Sequence, residues 1–246
     1  MKSIDLNCDL GEGLATDAQI IPLISSANIA CGFHAGNAAT MKRTIELCMQ
    51  HGVSIGAHPS WPDLENFGRT EIQRTSDEIF NIVTEQLEII SAITKQLGGK
   101  LHHVKPHGAL YNQSAKDKSI AAAIAKAVYD FDAGLFLFGL SGSISLTEAT
   151  SLGLQTVHEV FADRTYQNDG SLTPRSQPNA FVETEQKALQ QILQIINEQT
   201  VTSVSGKIVP VKADTICIHG DGKNAVAFAT TISSALQQAH IDIKAN

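Results

Sequence analysis

The stretch HHVKPHGALYN, residues 102–112, sets a lysine and a histidine on either side of Pro106. Proline holds its predecessor extended, so Lys105 and His107 are expected to point in similar directions at a strand end. A lysine there can stabilise a developing oxyanion or orient a carboxylate or phosphate, and a histidine can transfer a proton. At least one of His102 and His103 is expected to serve packing only. Near the N-terminus, DLNCDLGEG places Asp5, Asn7 and Asp9 on one face of a strand and Leu6, Cys8 and Leu10 on the other, with Glu12 between two glycines beyond it. An unpaired buried carboxylate is costly. That register therefore implies either a hydrogen-bond network closing the core or a catalytic or ion-binding role for Asp9.

Other apolar runs end in similar equipment. NIACGFHAGNAATMKR presents His34 between Gly32 and Gly36, with Asn37 placed to cap a helix. VSIGAHPSWPDLENFGRT delivers His58, then a proline-braced loop in which Trp61 and Phe67 read as packing and Arg69 can grip a carboxylate bidentately. In HEVFADRTYQNDGSLTPRSQPNA, Glu159, Asp163, Arg164, Tyr166 and Arg175 bracket a long loop with Asp169 and Gly170, too polar for core packing, where Arg164 and Arg175 suit an anionic substrate. ICIHGDGK adds His219 and Asp221. Its GDGK lacks the GxxxxGK[ST] spacing, so no P-loop is present, although a helix starting there suits a small anion.

Groups so scattered converge only if strands carry them to one rim. Short apolar runs near 3–8, 28–33, 53–57, 101–105, 134–138, 154–160 and 214–218 read as strands. Amphipathic runs near 16–25, 38–51, 75–97, 115–130, 143–151, 181–198 and 222–239 read as helices. In the third helix Thr75 or Ser76 caps, Glu78 adds early negative charge, and Gly98 and Gly99 stop it. A hairpin is expected at 198–212, turning near Gly206 and Lys207. About seven β/α units without a linker favour an α/β fold of one domain over residues 1–246, a closed or nearly closed parallel barrel. An open doubly wound sheet is the alternative.

Bulk properties narrow the function. The chain of 246 residues carries 25 acidic and 18 basic residues, a net charge of -7, which argues against binding nucleic acid by general phosphate attraction. No run reaches about eighteen apolar residues, and the N-terminal segment meets two carboxylates within nine residues. A soluble, cytoplasmic protein outside the membrane is expected. Cys8, Cys31, Cys48 and Cys217 form no CxxC pair and are expected to be reduced.

The ordered set DLNCDLGEG, NIACGFHAG, IGAHPSWPD, FGRT, VKPHGALYN, EVFADRTY and CIHGD resembles the LamB/YcsF family from the first strand to the closing helix. The resemblance implies a modified, seven-stranded β/α barrel related to polysaccharide deacetylases. It implies ATP-dependent opening of 5-oxo-L-proline to L-glutamate, with ATP as co-substrate of an assembly that includes partner subunits B and C. For that chemistry Asp9 or Glu12 is the candidate general base, His34 or His107 the proton-transfer partner, and Lys105 the oxyanion or phosphate stabiliser. Arg164 or Arg69 would bind the substrate carboxylate, and Asn7, His58, Tyr111, Asp163, Arg175, His219 and Asp221 complete the expected substrate site. The family pattern usually has aspartate at Asn37 and a second arginine at Thr70, so neither position carries the expectation. Two alternatives stand beside it: a deacetylase-like hydrolase with a divalent metal on Asp9 and His34, His58 or His219, and a non-catalytic substrate-binding component.

Overall fold

A computed structural model describes residues 2–219 and 225–246. The strands are β1 (Lys2–Leu10), β2 (Ser26–Ala30), β3 (Ser54–His58), β4 (His103–Val104), β5 (Phe136–Leu140), β6 (Gln155–Phe161), β7 (Thr200–Thr202), β8 (Ile208–Pro210), β9 (Thr215–Ile218) and β10 (Ile241–Ile243). The helices are α1 (Asp17–Ile20), α2 (Ala38–His51), α3 (Ser76–Gln96), α4 (Gly108–Ser114), α5 (Lys118–Asp132), α6 (Ile144–Leu152), α7 (Glu185–Glu198) and α8 (Ala225–Gln238).

Seven parallel strands, β1 to β6 and β9, pair in order, and β9 pairs back onto β1 with Asn7 opposite Cys217. That last pairing closes the barrel and excludes the open sheet. The excursion at 198–212 is the expected hairpin, β7 against β8. The three-residue β10, too short to show a period, adds in parallel to the first residues of β1. Among the described residues no helix is long and apolar enough to cross a membrane.

Local chemistry explains the helix starts. Asn37 accepts hydrogen bonds from the amides of Ala39 and Thr40 at the head of α2, and Thr75 forms a reciprocal capping box with Glu78 at the head of α3. Helix α4 was not expected, because its residues read as part of a polar motif. It begins at Gly108, whose φ of +55° and contact with the Gly68 carbonyl leave no room for a Cβ.

The alternation on β1 separates two cores. Leu6, Cys8 and Leu10 join Ile29, Ala57, Val104 and Leu137 in the apolar layer under the helices, against Ile45, Leu87, Ile124 and Ile232. The other face fills the barrel with polar groups that satisfy one another, as buried polar groups must. Asp5 accepts from Ser25, Ser26 and Thr215 at 2.5, 2.8 and 2.6 Å, and Asn7 donates to Thr215 at 2.8 Å. Asn28 donates to Asn7 and Asp9, both at 2.8 Å, and His103 Nε2 donates to the side-chain carbonyl of Asn28 at 2.8 Å. Gly56 opposes His103 in the register and leaves the space its ring occupies, since a Cβ there would overlap the imidazole.

Candidate active site

Above this network, at the C-terminal strand ends, opens a cavity of about 410 Å³, within the ~300–1,000 Å³ usual for small-molecule sites. Its inner end centres on Lys105, which is 2% exposed. The ammonium lies 2.7 Å from Glu159, 3.0 Å from Asp9, 3.2 Å from the Asn7 carbonyl oxygen and 3.2 Å from Cys217 Sγ. Burial alone would lower the Lys105 pKa, but Asp9, Cys217 and Glu159 raise it well above the usual value, so it stays charged. Burial alone would raise Asp9, but His58 and the Lys105 ammonium beside it hold it well below the usual carboxylate range. A carboxylate so strongly held ionised orients and compensates charge; it is a weak proton acceptor. Tyr111 lines the same cavity beside Glu159 as a phenol, its pKa raised by burial and by Glu159.

Beside Asp9 sits a cluster of imidazoles. His58 Nδ1 donates to the Lys105 carbonyl at 2.7 Å, and its Nε2 lies 3.2 Å from Asp9 Oδ2 and 2.9 Å from His107 Nδ1. His107 Nε2 donates to the Phe67 carbonyl at 2.9 Å. His34 stacks on His107 with centroids 3.8 Å apart, and its Nε2 is 3.4 Å from Glu12. Burial pushes the His34 ring down to about 3, leaving a neutral imidazole.

The opposite wall comes from the loop after β6 and the end of β9. His219 Nδ1 donates to Asp163 at 2.7 Å, and its Nε2 accepts from Arg175 at 2.9 Å. Arg164 bounds the cavity, but it donates to the carbonyls of Ala180 at 3.2 Å and Thr173 at 2.6 Å. It braces the loop on which Arg175 sits, with burial lowering its pKa to about 10. Arg69 reaches the mouth with its guanidinium 4.9 Å from the Phe67 ring centroid.

Of the residues singled out in the sequence, Asp9, Glu12, His58, Arg69, Lys105, His107, Tyr111, Arg164, Arg175 and His219 line one cavity. His34 and Asp163 stand behind it against Glu12 and His219, and Asn7 lies beneath Lys105. Asp221, with the rest of GDGK at 220–223, lies outside the described residues. His102 and His103 serve the framework, His102 by contact with the Asn246 carbonyl. Trp61 packs as expected, fully buried and donating to Gln113 at 2.7 Å. Tyr166 is likewise structural, accepting from the Phe161 amide. The four cysteines are free and buried. Two central groups had no assigned role: Glu159 and Cys217. The signal for Glu159 was the one that marked Asp9, a lone acid near the end of an apolar strand.

The LamB/YcsF family model matches residues 4–246. The 5-oxoprolinase A subunit of Tolumonas auensis is 52% identical over 250 residues, covering 100% of both chains. The crystal structure of a lactam utilization protein from Thermus thermophilus superposes with a TM-score of 0.94 at 42% identity, covering 100% of each chain. A family 4 carbohydrate esterase from Streptomyces lividans shares the barrel architecture alone, with a TM-score of 0.54 at 12% identity over 98% of this chain and 91% of its own. By the match across nearly its whole length, this chain belongs to the LamB/YcsF family.

Proposed function

We propose that residues 1–246 act as one barrel unit, the lactam-opening A subunit of an ATP-dependent 5-oxoprolinase, working in the cytoplasm with subunits B and C on 5-oxo-L-proline. The observation that carries this reading is the buried Lys105, fixed between Asp9 and Glu159 at the floor of a small cavity whose rim bears Arg69 and Arg175. A five-membered lactam with one carboxylate fits that division of charge: carboxylate toward the arginines, ring carbonyl toward Lys105.

A lactam is a stabilised amide, and the described residues hold no phosphate loop. In this reading ATP is consumed with the partner subunits, which transfer its γ-phosphoryl group to the lactam oxygen. Water adds to the activated carbon, the carbon–nitrogen bond breaks, and the ring nitrogen leaves as the α-amine with a proton. A second water then releases phosphate and leaves glutamate. Lys105 stabilises the negative charge that develops on oxygen, and Tyr111 can donate to the same charge. Asp9 keeps the ammonium and His58 in place. The corner formed by Glu12, His34, His58 and His107 is where the attacking water is activated.

The test is to follow glutamate and ADP with every combination of this chain and subunits B and C. Coupled formation of both products only with all three supports the assignment. Robust coupled turnover by this chain alone, or by B and C without it, overturns it.

A further inference from the structure

The imidazole corner has a proton inventory that ordinary hydrogen bonding does not close. Carbonyl oxygens only accept, so the bonds to the carbonyls of Lys105 and Phe67 place hydrogens on His58 Nδ1 and His107 Nε2. The neutral rings then turn two lone pairs, on His58 Nε2 and His107 Nδ1, toward each other across 2.9 Å. Asp9 Oδ2, a further acceptor, lies 3.2 Å from the same His58 atom. Such a junction requires a cation, either one proton or a metal ion.

A single proton answers only that pair. His34 is 1% exposed, and among the described residues neither of its ring nitrogens makes a hydrogen bond, Glu12 lying 3.4 Å from Nε2. The ligand atoms of Glu12, His34, His58 and His107 all lie within 4.8 Å of one another. Lys105 neutralises only one of the two carboxylates it touches, so the inner site also has negative charge to balance. Backbone carbonyls behind His58 and His107 are the outer contacts that aim histidine ligands and set their tautomers.

We propose that Glu12, His34, His58 and His107 form a binding site for one divalent transition-metal ion. Three imidazoles and one carboxylate suit Zn²⁺, Co²⁺ or Fe²⁺ better than Mg²⁺ or Ca²⁺, which prefer oxygen ligands. Metal–nitrogen bonds of about 2.1 Å require the four side chains to draw together, and the stacked rings of His34 and His107 tilt apart as they do so. This set takes Glu12 and His107 in place of the Asp9 and His219 expected from the sequence. It stands on hydrogen-bond bookkeeping and does not depend on the lactam reading.

The test uses the full chain, stripped with a chelator and titrated with Co²⁺. One equivalent should bind with visible d–d bands and be displaced by Zn²⁺. X-ray absorption of the cobalt or zinc form should show imidazole nitrogens and oxygen without sulfur, a readout that needs no variant. His34→Gln should weaken binding by about tenfold or more, with folding checked by Trp61 emission. A thiolate-to-cobalt charge-transfer band lost in Cys217→Ser would move the ion to Asp9, Cys217 and His219, a second convergent set among the described residues, and overturn the proposal. So would failure to bind near-stoichiometric Co²⁺, together with nitrogen-15 spectra showing one proton shared between His58 and His107.

Discussion

Replacing Gly56 by alanine adds one methyl group where the His103 ring already sits. The ring cannot stay, because its Nε2 is anchored to Asn28 at 2.8 Å and its face lies 4.1 Å, centroid to centroid, from Phe138. Overpacking of this kind costs about 1–3 kcal/mol. Expelling His103 leaves the Asn28 carbonyl without its donor inside the barrel, another ~1–3 kcal/mol. The sum is about 2–6 kcal/mol, and a mid-range 4 kcal/mol corresponds to a melting-temperature drop of about 8–16 °C for a chain this size. Asn28 also holds Asp9, so turnover of the assembled enzyme should fall beyond the loss of folded protein. Denaturation followed by Trp61, the single tryptophan, gives the stability. The double variant Gly56→Ala with His103→Ala gives the coupling: with the ring gone the methyl group has room, and the two changes should be non-additive by more than about 1 kcal/mol. A Gly56→Ala variant as stable as the parent, or strictly additive costs in the cycle, would refute the packing argument.

Lys105→Met should destabilise the fold by about 3–5 kcal/mol, because Asp9 and Glu159 lose the charge between them. Adding Glu159→Gln should restore stability without restoring glutamate formation, and substantial turnover in either folded variant would remove Lys105 from the chemistry. Burial alone would raise the Asp163 pKa, but His219, Arg164 and Arg175 hold it below the usual value. Its stabilisation is thus present above the ordinary carboxylate pKa of about 4 and lost as pH falls through the lowered folded value. Asp163→Asn should flatten the acid side of the stability–pH curve, and parallel curves for parent and variant would contradict this. Arg164→Lys should loosen the loop at 164–180, since an ammonium cannot span the carbonyls of Thr173 and Ala180. The stability cost is about 1–3 kcal/mol, with earlier cleavage of that loop under limited proteolysis, and an unchanged cleavage pattern would count against the bracing role.

Much of the architecture was legible because its causes are local. The two-residue period of an extended backbone put Asp5, Asn7 and Asp9 on one face without reference to any other segment. Asn37, Thr75 and Glu78 announced helix starts because a cap satisfies amides only two or three residues away. The repeated polar group after an apolar run at Asp9, His34, His58, Lys105 and His219 marked one rim, since parallel strands in one barrel present their ends on one side. Helix α4 and β10 escaped notice for the complementary reason: each is short, and tertiary contacts hold it in place more than its own pattern does.

Which partner each group meets was decided by barrel closure. Lys105 and Glu159 are 54 positions apart and meet at 2.7 Å only because β4, β5 and β6 stack in a set register. The sequence offered Asp9 or Glu12 as base and Arg164 or Arg69 as carboxylate ligand on equal terms. Tertiary structure separated them by environment, surrounding Asp9 with charges that keep it ionised and committing Arg164 to backbone carbonyls. Residue types, their alternation and the strand ends on which they stand were readable one segment at a time, because they follow from local backbone geometry. Only the closed barrel decided which charges neutralise one another and which histidine nitrogens meet, because those distances depend on the register of strands far apart in the chain.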